Sequence, residues 1–391
     1  MTFYTPFQSI FLFAAALTFC LPAALSAQLI TGMGEQDESG SRVQQSFLPA
    51  AGYSSDTGLF GGALYQRFNY RGDASPFLSN TRADFTASIR GEFVGQFAYE
   101  RTRSFNRDIR NRVQIVLFRS KISHFFGIGN DTPFQSDLYD ENYYFFQNRQ
   151  VSVSWRLRKT VVEYGFDGKL DIFSDVRVSY VDTSPREDNS SLGNESSAID
   201  RTNGYTNMIG GGLIADDRDS EFIPTEGYRY EVGVRLSSDV FVSDFNYTEL
   251  WLELRNYIEP LPGIVLAQKI RGEHLLGDAP FWGLPTLGFE RGLRGYHLDR
   301  FRGSSSVLHI LEARTWLFSF FDGELRIGGQ LFWDSGRVFS DQDSPGFFSD
   351  WNHTFGAGGA ISLFNPDFIL RGDVGFSGET VRVYAGIGYI F

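Results

Sequence analysis

The sequence lacks the features of a disulfide-bonded domain and of a helical membrane protein. One cysteine, Cys20, among 391 residues allows no intramolecular disulfide. Only one long apolar run is present, from Ile10 to Leu21, and a mean hydropathy of −0.20 argues against several membrane-spanning helices. Basic residues number 35 against 47 acidic ones, which argues against nucleic acid as the main partner.

The apolar run is followed by Pro22 and by small residues that end at Leu25-Ser26-Ala27. This pattern is typical of a secretory signal peptide that is cleaved after Ala27. We therefore predict a signal peptide over 1–27, a short periplasmic N-terminal segment over 28–46 and one barrel domain over 47–391. The alternative for the first segment is an uncleaved membrane anchor, although the run is short for a bilayer.

Apolar and polar residues alternate along most of the chain, which is typical of strands with one face in an apolar medium. A soluble β-sandwich would show the same alternation. Aromatic residues at the ends of the apolar faces, such as Tyr228 with Tyr230 and Tyr389 with Phe391, instead indicate the aromatic girdle of a membrane barrel. A basic side chain facing lipid at the bilayer midplane costs roughly 2–4 kcal/mol, so the charged faces are predicted to line a lumen.

The predicted fold is all-β: a single transmembrane antiparallel β-barrel of about sixteen strands. The predicted strands are 47–55, 58–69, 80–90, 92–103, 109–121, 145–158, 171–182, 203–216, 226–238, 245–258, 262–276, 304–318, 324–338, 351–364, 367–377 and 379–391. The alternation is least regular over 159–170, so that boundary is the least defined.

The connections between these strands alternate in length. Short turns are predicted at 259–262, 319–323 and 365–367, and long polar loops at 122–141, 183–202, 277–303 and 339–350. In outer-membrane barrels the short turns face the periplasm and the long loops face outside. The protein is therefore predicted to be integral to the bacterial outer membrane, with both termini periplasmic.

Four local patterns resemble motifs of the bacterial surface antigen superfamily, the BamA/TamA-like outer-membrane barrels. Residues 291–296 (RGLRGY) resemble its loop motif, and 332–336 (FWDSG) resemble its FxDxG strand motif. The pieces 217–219 (DRD) and 224–227 (PTEG) resemble a DxRD…PTxG turn, and 53–58 resembles the opening hairpin. Members usually carry POTRA domains ahead of the barrel, whereas here only Gln28 to Phe47 precede the first predicted strand. The resemblance is thus to a member that lacks those domains.

The resemblance implies that the long extracellular loop 277–303 folds into the lumen and that Arg294 meets Asp334 there, together with Glu312. The alternative is that Arg294 is a solvated loop arginine. The motifs single out Arg291, Gly292, Arg294, Gly295 and Tyr296 in the loop, Asp334, Glu312 and Gly336 as lumen partners, Asp217, Arg218, Asp219, Pro224 and Gly227 in the turn, and Tyr389 and Phe391 as a C-terminal signal.

The function that the resemblance implies is assistance in the insertion or translocation of proteins, or lipids, at the outer membrane. Two alternatives come from other classes: a passive or loop-gated diffusion pore, and a structural surface antigen. The expected partners are outer-membrane lipid and lipopolysaccharide, and either the outer-membrane assembly machinery or a separate periplasmic partner.

No enzyme activity, catalytic set or cofactor is predicted. The five histidines show no HxH or HxxxH spacing, so no metal site is predicted either. They are His124, His274, His297, His309 and His353.

Overall fold

The computed structural model describes residues 41–71, 76–105, 108–165, 168–187, 189–194, 202–340, 346–363 and 369–391. The predicted signal peptide, the predicted turn at 365–367 and most of the predicted N-terminal segment lie outside the described residues.

The described residues form nineteen strands. They are β1 (Ser41–Ser54), β2 (Gly58–Arg71), β3 (Ser79–Ser88), β4 (Glu92–Arg101), β5 (Ile109–His124), β6 (Phe145–Tyr164), β7 (Gly168–Pro185), β8 (Asn203–Tyr205), β9 (Met208–Asp216), β10 (Gly227–Ser237), β11 (Tyr247–Leu261), β12 (Ile264–Gly277), β13 (Thr286–Leu287), β14 (Phe301–Arg302), β15 (Ser305–Phe320), β16 (Leu325–Phe339), β17 (Asn352–Leu363), β18 (Ile369–Phe376) and β19 (Val381–Ile387).

Seventeen of these strands form one antiparallel sheet, and β13 and β14 form a separate two-stranded sheet. Because β8 and β9 both pair with β7, they share one position, and the wall has sixteen positions. The sixteen-stranded barrel is thereby confirmed. β1 begins at Ser41, earlier than predicted, and the boundary expected within 159–170 falls between Tyr164 and Gly168.

The helical segments are short. They are α-helices at Ser136–Asp140 and Ser191–Asn194, and 3-10 helices at Asp239–Phe241, Phe281–Gly283, Phe289–Arg291 and Phe321–Gly323. Within the described part of the chain, no helix has the length and apolar character needed to cross a membrane.

The alternation of the sequence orients the wall strands. On β10, Val232, Val234 and Leu236 are exposed on the outside of the barrel, whereas Glu231 and Arg235 are buried on the inside. This follows from the two-residue period of a strand, which places every second side chain on the same face. The aliphatic face therefore meets lipid and the charged face lines the lumen.

Lumen-facing charges are paired between different strands of the wall. Glu231 and Glu253 lie directly opposite each other on β10 and β11, and Arg229 contacts their carboxylates at 2.5 and 3.6 Å. Arg235 reaches past β9 to Asp175 on β7, which it contacts at 3.0 Å. Like charges directly opposite would destabilise the sheet, and Arg229 compensates the two glutamates.

The C-terminal residues do not join the lipid-facing girdle, so that part of the sequence prediction is wrong. β19 ends at Ile387, and Gly388 has a positive φ of 79°, which redirects the chain. Phe391 is buried inside the barrel, where the Arg314 guanidinium lies 4.8 Å from its ring centre and 4.1 Å from that of Tyr389. Because Arg314 projects into the lumen, the attraction between cation and ring holds both aromatics inside.

The two end strands, β1 and β19, meet at a junction that we call the seam. No strand ladder joins them in the described part of the chain, whereas the other neighbouring wall strands are joined by ladders. The contact includes hydrogen bonds from the Ser55 N–H to the Val383 carbonyl (3.2 Å) and from the Val383 N–H to the Ser55 hydroxyl (3.1 Å). Arg382 and Asp56 add an ion pair.

Candidate functional site

The connection between β12 and β15, residues 278–304, folds into the barrel and is called the lumen loop below. Its short ladder of β13 and β14 brings the two arms of the loop together. Gly288 and Gly292 have φ values of 128° and 107°, which glycine adopts without strain. A Cβ on Gly292 would lie 2.4 Å from the Leu308 side chain, so the loop backbone runs directly against the inner face of β15.

Arg294 follows this turn and reaches the wall. Its Nε and Nη2 donate to the two carboxylate oxygens of Asp334 at 2.9 and 2.7 Å, and its backbone N–H donates to the same carboxylate at 3.0 Å. Its Nη1 donates to Glu312 and lies 3.5 Å from Asp373. The Phe332 ring centre lies 3.4 Å from the guanidinium carbon. The flat, forked guanidinium suits this arrangement, which an ammonium group could not reproduce.

The charges around Arg294 compensate one another. Burial alone would lower the pKa of Arg294, but the carboxylates of Asp334 and Glu312 raise it above its ordinary value. Arg314 lies 2.7 Å from Glu312, and Arg371 lies 3.3 Å from the third carboxylate. Three buried carboxylates thus share three arginines. Removing one member of such a set leaves its partners buried and uncompensated.

The residues after Arg294 are held through their backbone. The Gly295 carbonyl accepts hydrogen bonds from the hydroxyls of Ser377 and Thr380, both at 2.8 Å. A Cβ on Gly295 would lie 2.6 Å from the Ser377 nitrogen, so only glycine fits there. The Tyr296 carbonyl accepts from the Tyr384 hydroxyl at 3.2 Å. The loop is therefore fixed to β19 and to the turn that precedes it.

The other two predicted residues lie at the edge of this contact. Gly336 on β16 faces the loop, since a Cβ there would lie 2.9 Å from Leu287. Arg291 is different because most of its side chain is exposed, and its nearest acid, Asp299, lies at 3.4 Å. Arg291 belongs to the same motif as Arg294 but does not enter the buried set.

A second buried cluster connects the lumen loop to the seam. Asp56 in the turn after β1, His124 at the end of β5 and His297 in the lumen loop place potential metal-ligating atoms within 4.8 Å of one another. The guanidinium of Arg382 donates to Asp56 and, at 2.8 Å, to Nδ1 of His297. The protein's own cation thus already bonds to two of the three groups that could hold a metal ion. Sequence spacing missed this cluster because its members come from four distant segments.

The cluster keeps its loop histidine neutral. Arg382 can only donate, so His297 Nδ1 must accept and the ring carries its proton on Nε2. Burial, followed by the Arg382 guanidinium, lowers the pKa of His297 to about 3. Burial would raise the pKa of Asp56, but the Arg382 guanidinium holds it well below its ordinary value. At neutral pH the cluster is a carboxylate, a guanidinium and neutral imidazole.

This arrangement predicts an acid-sensitive contribution to stability. Since the pKa of His297 is about 3 in the folded chain and its ordinary value is 6.5, only the unfolded chain takes up the proton between these pH values. The contribution of neutral His297 to the free energy of unfolding is complete above pH 6.5. It is lost as the pH falls, by up to about 1.4 kcal/mol per pH unit. His297→Asn keeps an acceptor without titrating, so its urea midpoint should fall less between pH 7 and 4 than that of the wild type. Parallel pH profiles for the two proteins would contradict this assignment.

The connection between β9 and β10, residues 217–226, is called the crossing turn below. Asp219 closes its base: its carboxylate accepts from the Thr225 N–H at 2.9 Å and from the Thr225 hydroxyl at 2.6 Å. Arg218 binds both oxygens of Asp216 at 2.8 Å. Gly227 has a φ of 94°, and a Cβ there would lie 2.0 Å from the Asp217 carbonyl. These motif residues, with the buried Pro224, build a stiff hairpin extension.

The tip of the crossing turn reaches the opposite part of the wall. Glu221 accepts from Arg110 on β5 at 2.6 and 3.0 Å, and Phe222 packs edge-on against Phe68 on β2 at 6.4 Å. Burial would raise the pKa of Glu221, but Arg110 lowers it below its ordinary value. Because β6 and β7 separate β9 from β5, and β2 lies three strands beyond β5, the turn must extend across the mouth of the lumen.

Comparison with known families assigns the chain. The profile of the Omp85 superfamily domain matches residues 79–391, about four fifths of the sequence and the region that contains the lumen loop, its partners and the crossing turn. The chain belongs to the Omp85 superfamily. The resemblance carried by the four sequence motifs is thereby confirmed, and an Omp85 barrel is an integral protein of the bacterial outer membrane. None of the curated proteins matches this Omp85 chain in sequence.

Solved structures of similar fold agree with the Omp85 assignment. BamA from Haemophilus ducreyi lacking POTRA domains 1–3 aligns with a TM-score of 0.59 and 12% identity, over 90% of this chain and 70% of that one. CdiB from Escherichia coli aligns with a TM-score of 0.60 and 10% identity, over 90% of this chain and 63% of that one. CdiB from Acinetobacter baumannii gives 0.56 and 11%, over 88% and 59%. This Omp85 chain thus spans less than two thirds of either CdiB chain.

Proposed function

We propose that this Omp85 barrel assists the insertion or translocation of proteins, or lipids, at the outer membrane by parting its seam. The observation that carries the proposal is the absence of a β1–β19 ladder among the described strands. A strand without a ladder partner presents backbone donors and acceptors on which another strand can add. A barrel that only encloses a channel has no need of such a junction. The role is not enzymatic.

The contents of the lumen favour this function over an open diffusion pore. The lumen loop enters from one end of the barrel, and the crossing turn extends across the other. A solute that moved straight through would have to pass both. The lumen loop is held by buried charged groups, which are costly to expose one at a time, and the crossing turn is held by the half-buried ion pair of Glu221 with Arg110. A surface antigen would require neither segment inside the barrel.

We propose that the end of the barrel with the long connections is extracellular. The connections 125–144, 186–202 and 278–304 all leave that end, whereas the short ones at 165–167, 262–263 and 321–324 leave the other. This asymmetry is the usual one for outer-membrane barrels. Both termini are then periplasmic, and the crossing turn faces the periplasm. The outer-membrane assembly machinery or a separate periplasmic partner would meet the barrel on that side.

A disulfide across the seam tests the proposal. Ser55→Cys with Val383→Cys joins two residues whose backbones are hydrogen-bonded, and Cys20 lies within the predicted signal peptide. Oxidation should abolish the barrel's acceleration of the insertion of a urea-unfolded outer-membrane β-barrel protein into liposomes, and reductant should restore it. The same cysteine pair also tests for a diffusion pore, because oxidation would leave the bilayer conductance of such a pore unchanged.

The matched control is a disulfide inside an existing ladder. Leu331 and Ala357 lie directly opposite each other on the outer faces of β16 and β17. Leu331→Cys with Ala357→Cys should crosslink and leave insertion unchanged. Full insertion activity in a barrel that is fully crosslinked at the seam would refute seam opening.

A further inference from the structure

Two arginines face each other on the outside of the barrel. Arg119 on β5 and Arg149 on β6 are directly opposite in the strand register, and both side chains are exposed. Lys121, two residues beyond Arg119 on the same face, is exposed as well. Like charges directly opposite in a sheet destabilise it unless something lies between them. Asp182, opposite Arg149 on β7, approaches that arginine only to 3.8 Å.

The position of the pair relative to the apolar wall is informative. Between this pair and the far end of the strands, the outward residues of β5 and β6 are mainly aliphatic or aromatic: Val113, Ile115, Leu117, Val151, Val153 and Trp155. The next outward basic residue on β6 is Lys159, ten positions from Arg149. At about 3.3 Å per residue and a tilt of about 40°, ten residues rise about 25 Å, which is the height of the apolar band of an outer-membrane barrel. The arginine pair and Lys159 therefore lie at opposite edges of the band.

We propose that Arg119, Arg149 and Lys121 bind the phosphate group of lipid A in the outer leaflet, with its acyl chains against the apolar face of β5 and β6. Three cations against one partly engaged carboxylate leave an excess of about two positive charges, which complements a phosphate monoester. The exposed Phe93 lies directly opposite Arg119 on β4, on the side of Arg119 away from Asp182. A phosphate that bridged the two guanidinium groups would remove their repulsion. The choice of leaflet rests on the proposed orientation, but not on seam opening.

The proposal is tested on the intact purified barrel by native mass spectrometry after incubation with lipid A. The double variant Arg119→Gln/Arg149→Gln loses two contacts between a basic residue and an anionic lipid surface. We therefore expect it to retain lipid A about thirtyfold more weakly than the wild type. Arg119→Lys/Arg149→Lys should keep most of the retention because both charges remain. Asp182→Asn should increase retention, since it removes the competing carboxylate.

The controls separate the lipid phosphate from other ligands. Lys159→Gln removes one charge from the same face of β6 at the other edge of the band and should leave lipid A retention unchanged. Lipid A stripped of its phosphates should bind wild type and double variant equally, and inorganic phosphate alone should not displace bound lipid A. Equal retention of intact lipid A by wild type and double variant, dependence on Lys159 instead, or complete displacement by inorganic phosphate would each overturn the site. Heat-dependent gel migration confirms that each variant is folded.

Discussion

Replacing Arg294 with alanine is expected to release the lumen loop from the wall. Breaking a buried ion pair by removing one partner costs about 3–5 kcal/mol, because the other charges remain buried and uncompensated. In the absence of Arg294, Asp334 and Glu312 keep only part of the positive charge that surrounds them. Since about 1.4 kcal/mol corresponds to a tenfold change, the released state should become at least a hundredfold more populated. Tryptic cleavage within the loop should accelerate accordingly.

A double-mutant cycle shows whether the effect belongs to the pair. Arg294→Ala and Asp334→Ala should be clearly non-additive, because each removes the same set of hydrogen bonds. Arg294→Lys should behave nearly like the alanine variant, since an ammonium cannot bind both carboxylates as the fork does. Additive effects of the two alanine variants would support the alternative that Arg294 is a solvated loop arginine.

Arg291→Ala is the matched control within the same loop. It removes the same residue type three positions earlier, but its side chain is mostly exposed and its contact with Asp299 is long. Exposed pairs of this kind contribute about 0–1 kcal/mol. The cleavage rate of Arg291→Ala, measured at the remaining loop sites, should therefore stay close to that of the wild type. Equal release by Arg291→Ala and Arg294→Ala would show that the buried set does not hold the loop.

Opening both obstructions of the lumen should raise its conductance far more than opening either alone. The lumen loop and the crossing turn obstruct the same path one after the other, so the narrower of the two limits the current. Glu221→Arg places a positive charge against Arg110, and Phe222→Ala removes the contact with Phe68, which together should displace the tip of the turn. Planar-bilayer currents of the combined variant with Arg294→Ala should exceed the sum of the separate currents several-fold.

Glu226→Arg is the control for the turn. Glu226 lies on the same turn and is exposed, so the substitution makes the same change of charge away from the tip. Its current should equal that of the wild type, alone and with Arg294→Ala. If Arg294→Ala alone already gives the full current of the combined variant, the crossing turn does not restrict the lumen.

The strands could be predicted because the residues of a membrane-barrel strand alternate between the lipid face and the lumen face, and this alternation is visible in the sequence. Each predicted wall strand has a counterpart in the structure. The two-residue period, together with the cost of placing charge on the lipid face, allows only one orientation for strands such as β10. Arg294 could be connected to Asp334 and Glu312 only through the family motif, because no local pattern links residues that lie 40 and 18 positions away.

What could not be predicted depends on contacts between distant segments. The cluster of Asp56, His124 and His297 has no spacing signature, because each member is brought in by a different part of the wall or loop. The inward position of Phe391 depends on a single glycine torsion and on Arg314, whose attraction for the ring cannot be inferred from an alternating strand. Such features appear only after the strand register is known.

The contact of His297 with Arg382 and Asp56 has a consequence for how the barrel moves. Through Arg294 the lumen loop is bound to the last strands of the wall, and through His297 it reaches a pair whose members lie on either side of the seam. In the proposed seam opening, release of the loop and parting of the seam are therefore linked equilibria with one coupling free energy. By reciprocity, the seated loop stabilises the closed seam by the same coupling free energy by which the closed seam stabilises the seated loop.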